Sequence, residues 1–276
     1  MAWLGVAAVV TAAAPWTLQL AFAIFGIGVV GMVHGAGDLA VVAPVRRRRF
    51  LVAYGLVSLV TLLWWTLDPA VALPAFLVAS AIHFGMEDAP EGPIAERVVR
   101  GVALIAAPAT LHAENYAALL RSAGGTSSMA DCTPWLAAAG GVCGAILLWL
   151  AWRRRQSALA GATAALLLLP PLVGFTLGFL VLHALPQTLA RRDRLGCASI
   201  FGYLRSVAPV FAGALVLAGS VAALLLHFDP SGVRGLFAGI AALAVPHLLV
   251  TPWFECRTRP VRRISTPAAS AGTGSR

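Results

Sequence analysis

The chain has 276 residues, of which 59% are apolar and only 11% charged, and its mean hydropathy is +0.85; too little polar surface is available for a water-facing exterior, which excludes a soluble domain and implies a polytopic membrane protein. The formal charge of +9 comes entirely from arginine, and the absence of lysine excludes a lysine-linked retinal Schiff base. The arginines cluster beside apolar runs rather than along an aromatic-interleaved groove, a pattern of topology signals and lipid-headgroup contact and not of nucleic-acid binding.

Apolar runs of roughly 15–20 residues suit helices that cross a hydrocarbon core of about 30 Å, and no alternating strand pattern competes with them. Bounded by charge, proline or glycine, they predict spans near 2–15, 17–36, 50–67, 70–86, 97–112, 134–152, 157–171, 172–189, 207–227 and 234–253. The first lacks the basic start of a signal peptide and reads as a short span. A second ambiguity is the split at Pro170-Pro171, so the expectation is an all-α transmembrane bundle of eight to ten spans.

If the spans alternate, Arg46 to Arg49, Arg153 to Arg155, Arg191, Arg192, Arg194 and Arg205, and the tail arginines Arg257, Arg259, Arg262 and Arg263 share one side. That side is expected to be the cytoplasmic face of the cell membrane. Asp68-Pro69, a longer loop over 113–133 and His227-Phe228-Asp229-Pro230 face the other way. Residues 1–256 read as one integral-membrane domain, and 257–276, rich in Arg, Ser, Thr, Ala and Gly, as a disordered cytoplasmic tail. The four cysteines lie outside any CxxC spacing, which leaves them structural or incidental.

On this map His34 closes the second span, His83 the fourth, His183 lies in the last turns of the eighth, and His247 sits in the inner half of the tenth. These four share the cytoplasmic leaflet, whereas His112 and His227 fall at the outer side. Ionisable groups inside a membrane are costly and mark chemistry. Imidazole binds iron, copper, nickel or zinc, and a bundle is what gathers ligands from four helices; magnesium and calcium prefer oxygen. Asp38 and Glu87 each stand at i+4 from a histidine, with Asp88 beside Glu87. Such carboxylates can hold a second imidazole nitrogen and offset a metal's charge.

Plainer readings stand beside these. A single histidine near a helix end is usually a packing or interfacial residue; four at one depth shift the balance toward a site. Asp38 and Asp88 also fit as ordinary helix-end carboxylates. Trp64, Trp65, Trp149, Trp152 and Trp253 near span ends suit an interfacial belt. Phe175, Phe179, Phe201 and Tyr203 suit core or lipid-facing packing, or the lining of an apolar tunnel. A membrane carrier using His and Asp as a relay is the non-enzymatic alternative, although polarity gathers in one leaflet rather than along a path. A di-iron hydroxylase predicts HxxxH and HxxHH boxes, which are absent.

His34-Gly35-Ala36-Gly37-Asp38, Ser80-Ala81-Ile82-His83-Phe84-Gly85 with Asp88, Leu182-His183-Ala184-Leu185-Pro186-Gln187 and Val245-Pro246-His247 resemble, in order and spacing, the signature blocks of the Brp/Blh family of bacterial and archaeal membrane β-carotene 15,15'-dioxygenases. Pro108 to Asn115, with His112, resembles a further segment, and the likeness runs from about residue 25 to 255. It implies an Fe(2+)-dependent enzyme that cleaves the central double bond of β-carotene with O2 into two retinals. His34, His83 and His183 match expected ligands, and His247 matches a further family histidine. Where the family commonly has a histidine one turn after the third block, this chain has Gln187, a weaker and harder ligand. The metal then relies on His247, is held less tightly, or the chemistry is directed at another carotenoid or apocarotenoid. The implied partners are membrane lipids, a lipid-dissolved carotenoid, O2 and a retinal protein downstream.

Overall fold

An apolar segment without water must satisfy its backbone N–H and C=O groups internally, and a helix does so within one run of chain. The computed structural model describes residues 2–124, 128–228 and 232–255. The predicted tail over 257–276 lies outside them. The described residues are helical, with no strand among them; a single bridge pairs Val42 with Glu255. In chain order the helices are α1 (Ala2–Ala12), α2 (Trp16–Val41), α3 (Pro44–Leu67), α4 (Pro69–Asp88), α5 (Ile94–Ala106), α6 (Ala113–Gly124), α7 (Thr133–Arg154), α8 (Ser157–Leu168), α9 (Pro171–Arg194), α10 (Ile200–Phe228) and α11 (Val233–Phe254).

Seven of these are long and apolar enough to cross a membrane: α2, α3, α4, α7, α9, α10 and α11. The expected count of eight to ten is therefore corrected downward. With 11, 13 and 12 residues, α1, α5 and α8 extend only about 17–20 Å at roughly 1.5 Å per residue, short of a core about 30 Å thick. Proline sets their limits: Pro15 follows α1, Pro93 and Pro108 bracket α5, and Pro170 follows α8. The predicted loop over 113–133 contains α6, whose Tyr116, Leu119, Leu120 and Ala123 recur at helical spacing on a buried face. The Tyr116 hydroxyl donates to the Ile105 carbonyl at 2.8 Å, and Trp65 Nε1 donates to the Ala123 carbonyl at 3.3 Å. Trp65 is therefore a core residue, while Trp64, Trp149, Trp152 and Trp253 are exposed as an interfacial belt requires.

The most enclosed span is α9, with 61% of its apolar window buried against 6% in α10. So α9 runs through the middle and α10 along the edge. Glycines allow α2 to approach α9: a Cβ on Gly26 would collide with Thr176, and one on Gly31 with the Phe179 ring. The same device joins α4 to α5, where a Cβ on Gly85 would strike the Arg97 carbonyl and one on Gly101 the Ala81 carbonyl. Both α2 and α9 contain π-helical stretches, Ile24–Gly31 and Leu180–Ala184. The wider i→i+5 turn rotates the residues that follow it, and such turns recur at functional sites. One stretch immediately precedes the turn that bears His34; the other contains His183.

Arginines close the helix ends. Arg97 donates to the carbonyls of Ala89 and Gly92, each at 3.1 Å, and to that of Pro90, satisfying the turn that follows α4. Arg46 donates to the Trp253 carbonyl at 3.1 Å. Glu96 at the start of α5 accepts from Arg154 at 2.7 and 2.8 Å and from Arg100 at 2.9 Å. The Arg154 hydrogen bonds, helped by Arg100, hold its carboxyl down at about 2 from the ordinary 4.5.

Two measurements check this packing. Gly101→Val should cost about 1–3 kcal/mol through overpacking, lowering the thermal midpoint of the purified protein, whereas Gly161→Ala, mid-helix with open space around its Cβ, should leave it unchanged or raised. Because the folded-state pKa of Glu96 is depressed, its contribution is full above pH 4.5 and is lost as pH falls toward about 2. Glu96→Gln should therefore flatten the acid limb of a midpoint-against-pH curve between those values; an unchanged limb refutes the assignment.

Candidate metal centre

The site forms where α2, α4, α9 and α11 meet. Gly37 interrupts α2, ending the turn that holds His34 and starting another at Asp38. On α4, His83, Glu87 and Asp88 occupy the last two turns. His183 lies in the π stretch of α9, and His247 stands three residues before the break at Val250.

These elements bring together all four inner histidines named from the sequence. His34 contacts His183 and His247 with ring centroids 5.1 and 5.3 Å apart, and His83 contacts the same two at 5.1 and 5.2 Å. The contacts form a closed circuit, each ring meeting two others edge to face. His34, His183 and His247 are buried, and the His83 side chain is 12% exposed.

Three of the rings have Nδ1 tied to an oxygen: His34 to the Gly31 carbonyl at 2.5 Å, His183 to Asp88 at 2.8 Å and His247 to Asp38 at 2.5 Å. Carbonyl and carboxylate oxygens accept, so Nδ1 donates and Nε2 is left with its lone pair. In His183 and His247 that Nε2 is buried with no hydrogen-bond partner among the described residues. An unpaired buried acceptor is costly, and a cation within reach of it relieves that cost; the group whose ligand atoms come close enough to share one is His83, Glu87 and His183. The donor set, imidazole nitrogen with nearby carboxylate oxygen, suits a first-row transition metal.

Two of the carboxylates pair across helices, while Glu87 keeps its i+4 neighbour. Asp38 does not serve His34 at i−4: the break at Gly37 turns it to His247 on another helix. Asp88 serves His183 across the α4–α9 contact. Glu87 Oε2 is 3.7 Å from His83 Nε2, and ligand atoms of His83, Glu87 and His183 lie within 4.8 Å of one another. That places Glu87 among the possible ligands rather than behind them. Gln187 stands beside the carboxylates rather than among the rings, its Nε2 donating to the Glu87 carbonyl at 3.2 Å and its side chain meeting Asp88. Beside it a groove of about 540 Å³ reaches Glu87 and Asp88 past Val181, Leu182 and Arg100.

Of the other residues singled out, His112 lies away from the circuit, its Nε2 3.1 Å from the Leu168 carbonyl, and His227 is exposed. Phe179 packs 5.6 Å from the His183 ring and stacks on Phe175 at 5.9 Å. Tyr203 is buried, donating to the Val33 carbonyl at 3.0 Å, while Phe201 is exposed. Sequence reasoning missed Phe84, 4.7 Å from His183, and also Thr251 and Arg191. Helical spacing points to these last two: Thr251 is at i+4 from His247, and Arg191 at i+8 from His183.

A family model described as beta-carotene 15,15'-dioxygenase matches residues 25–255, a stretch that includes all four histidines of the circuit. The chain belongs to the β-carotene 15,15'-dioxygenase family. No curated protein and no solved structure matches it. Membership supports a carotenoid dioxygenase type of activity, and the seven long apolar helices support a multi-pass membrane protein.

For a member of this dioxygenase family, loss of a carboxylate that orients a ligating imidazole should act through the metal. Asp88→Ala is expected to weaken first-row metal binding about 10–100-fold, measured by equilibrium dialysis of purified protein against Co(II); unaltered binding removes Asp88 from the site.

Proposed function

We propose that the protein binds Fe(2+) through His34, His83, His183 and His247 and cleaves the central 15,15' double bond of β-carotene with O2. One C=C bond breaks and two C=O bonds form, one oxygen atom entering each retinal, so no further reductant is required. The observation that carries the reading is the closed circuit of four imidazoles whose buried Nε2 atoms on His183 and His247 have no other partner.

When bound, ferrous iron supplies the activation of O2 toward an electron-rich polyene. The chain's own residues do the rest. Asp88, Asp38 and the Gly31 carbonyl hold three Nδ1 atoms and thereby aim Nε2 inward. Glu87 adds an oxygen donor at the mouth of the groove, and its charge offsets that of a cation held by neutral imidazoles. His247 takes the fourth histidine place, and Gln187, engaged with the Glu87 backbone, stays outside the ligand set. Phe84 and Phe179 wall the rings from polar surroundings, and the apolar interior excludes water from reactive species.

A C40 hydrocarbon dissolved in the bilayer reaches this centre laterally, within the leaflet on the arginine side, which we assign to the cytoplasmic face of the cell membrane. Having no lysine, the chain cannot keep retinal as a Schiff base and releases it to a retinal-binding protein. In carotene-producing cells His83→Ala and His247→Ala should each abolish bound iron, about one per chain in the wild type, and retinal formation. Gln187→Ala should retain the iron. Unchanged retinal from His83→Ala sinks the proposal, and loss of iron in Gln187→Ala reassigns the fourth place.

A further inference from the structure

Arg191 carries its guanidinium at 5% exposure in α9, two turns beyond His183. Its Nη2 lies 3.1 Å from Asp38 Oδ1 at the end of α2, and its Nη1 lies 3.4 Å from Glu255 Oε1 just past α11. Glu255 also pairs with Arg194. Asp38, 2% exposed, gives its other oxygen to His247 Nδ1 at 2.5 Å and to the Thr251 hydroxyl at 2.9 Å. One carboxylate thus joins a guanidinium, a hydroxyl and an imidazole from two other helices.

A purely structural role accounts poorly for this cluster. Desolvation offsets most of the Coulomb energy of a buried ion pair, so apolar side chains would join the same helix ends at least as well. What guanidinium supplies is a planar charge whose two arms reach two carboxylates, Nη2 toward Asp38 and Nη1 toward Glu255. The Asp38 contact is an ion pair without hydrogen-bond geometry at Oδ1, and Oδ2 takes the hydrogen bonds of His247 and Thr251. The second carboxylate–histidine pair of the centre is braced differently: Asp88 meets the Gln187 side chain and feels Arg100 from beyond ion-pair distance. His183 has less need of a guanidinium, since it sits mid-span in the most enclosed helix, whereas His247 is close to the point where α11 breaks.

We propose that Arg191 is a positioning residue for the metal centre, acting through Asp38 to aim His247 Nε2 at the other three imidazoles. The inference rests on the reading that the four histidines hold a metal. Arg191 touches neither substrate nor metal in this role, and Glu255 and the Val42–Glu255 bridge hold the end of α11 in register with it.

The test uses the full-length protein in lipid nanodiscs, stripped of metal and titrated with Co(II), following affinity, the visible ligand-field bands and the thermal midpoint of the metal-free form. Arg191→Met should raise the Co(II) dissociation constant about 10–100-fold and shift the bands. Arg191→Lys, which keeps the charge but not the fork, should recover only part of that loss. Arg191→Met with Asp38→Asn removes both charges; it should recover the metal-free midpoint while affinity stays depressed. Wild-type affinity and bands in Arg191→Met overturn the proposal, as does a double variant that regains both stability and affinity. Wild-type protein that takes up no Co(II), behaving as His83→Ala does, overturns the four-histidine reading itself.

Discussion

An imidazole has two nitrogens, and a centre built from four of them depends on deciding for each ring which nitrogen faces inward. Here that decision is made for three of the rings by oxygen atoms at Nδ1. For His34 the acceptor is a carbonyl of its own helix, but for His183 and His247 it is a carboxylate on a different helix. Such cross-helix hydrogen bonds exist only when the bundle is assembled, so the geometry of the site and the packing of α2, α4, α9 and α11 are one problem with one solution.

The packing meets that demand with small residues and altered helical pitch. Gly26 and Gly31 bring α2 against α9, and Gly85 and Gly101 bring α4 against α5. The π-helical turns in α2 and α9 then rotate the residues beyond them. Within lipid there is little hydrophobic gain from bringing one apolar helix to another, so close backbone approach and interhelical hydrogen bonds carry the association. The histidine circuit lies where these contacts converge.

Much of this was legible in the residues. Apolar runs disclosed an all-helical membrane bundle, and alternation of the arginine clusters sorted six histidines into the four that meet and the two that do not. Proline positions were visible, but the consequence that α1, α5 and α8 stop short was not drawn from them. The loop reading of 113–133 failed because α6 is amphipathic and hides only one face, a pattern weaker than a continuous apolar run. The carboxylates were found; Glu87 keeps the i+4 partner that spacing gave it, His83, while Asp38 and Asp88 serve other helices. Spacing at i+4 assigns Asp38 to His34 only if the helix continues, and Gly37 breaks it. Arg191 was assigned to a topology signal because composition cannot tell a charge facing headgroups from one turned inward to Asp38. Sequence spacing describes one helix at a time, and these pairings belong to several.

The shortness of α5 and α8 bears on the surrounding lipid. Both set out from the arginine-bearing end and stop after about two-thirds of a bilayer's hydrocarbon thickness. Neither helix alone offers acyl chains an apolar wall as tall as that of α3 or α10. Lipids beside a short apolar wall thin or tilt to match it, at a fraction of a kcal/mol per ångström. Membrane thickness therefore becomes a variable of the protein's environment: thin and thick bilayers present different strain wherever these two helices face lipid.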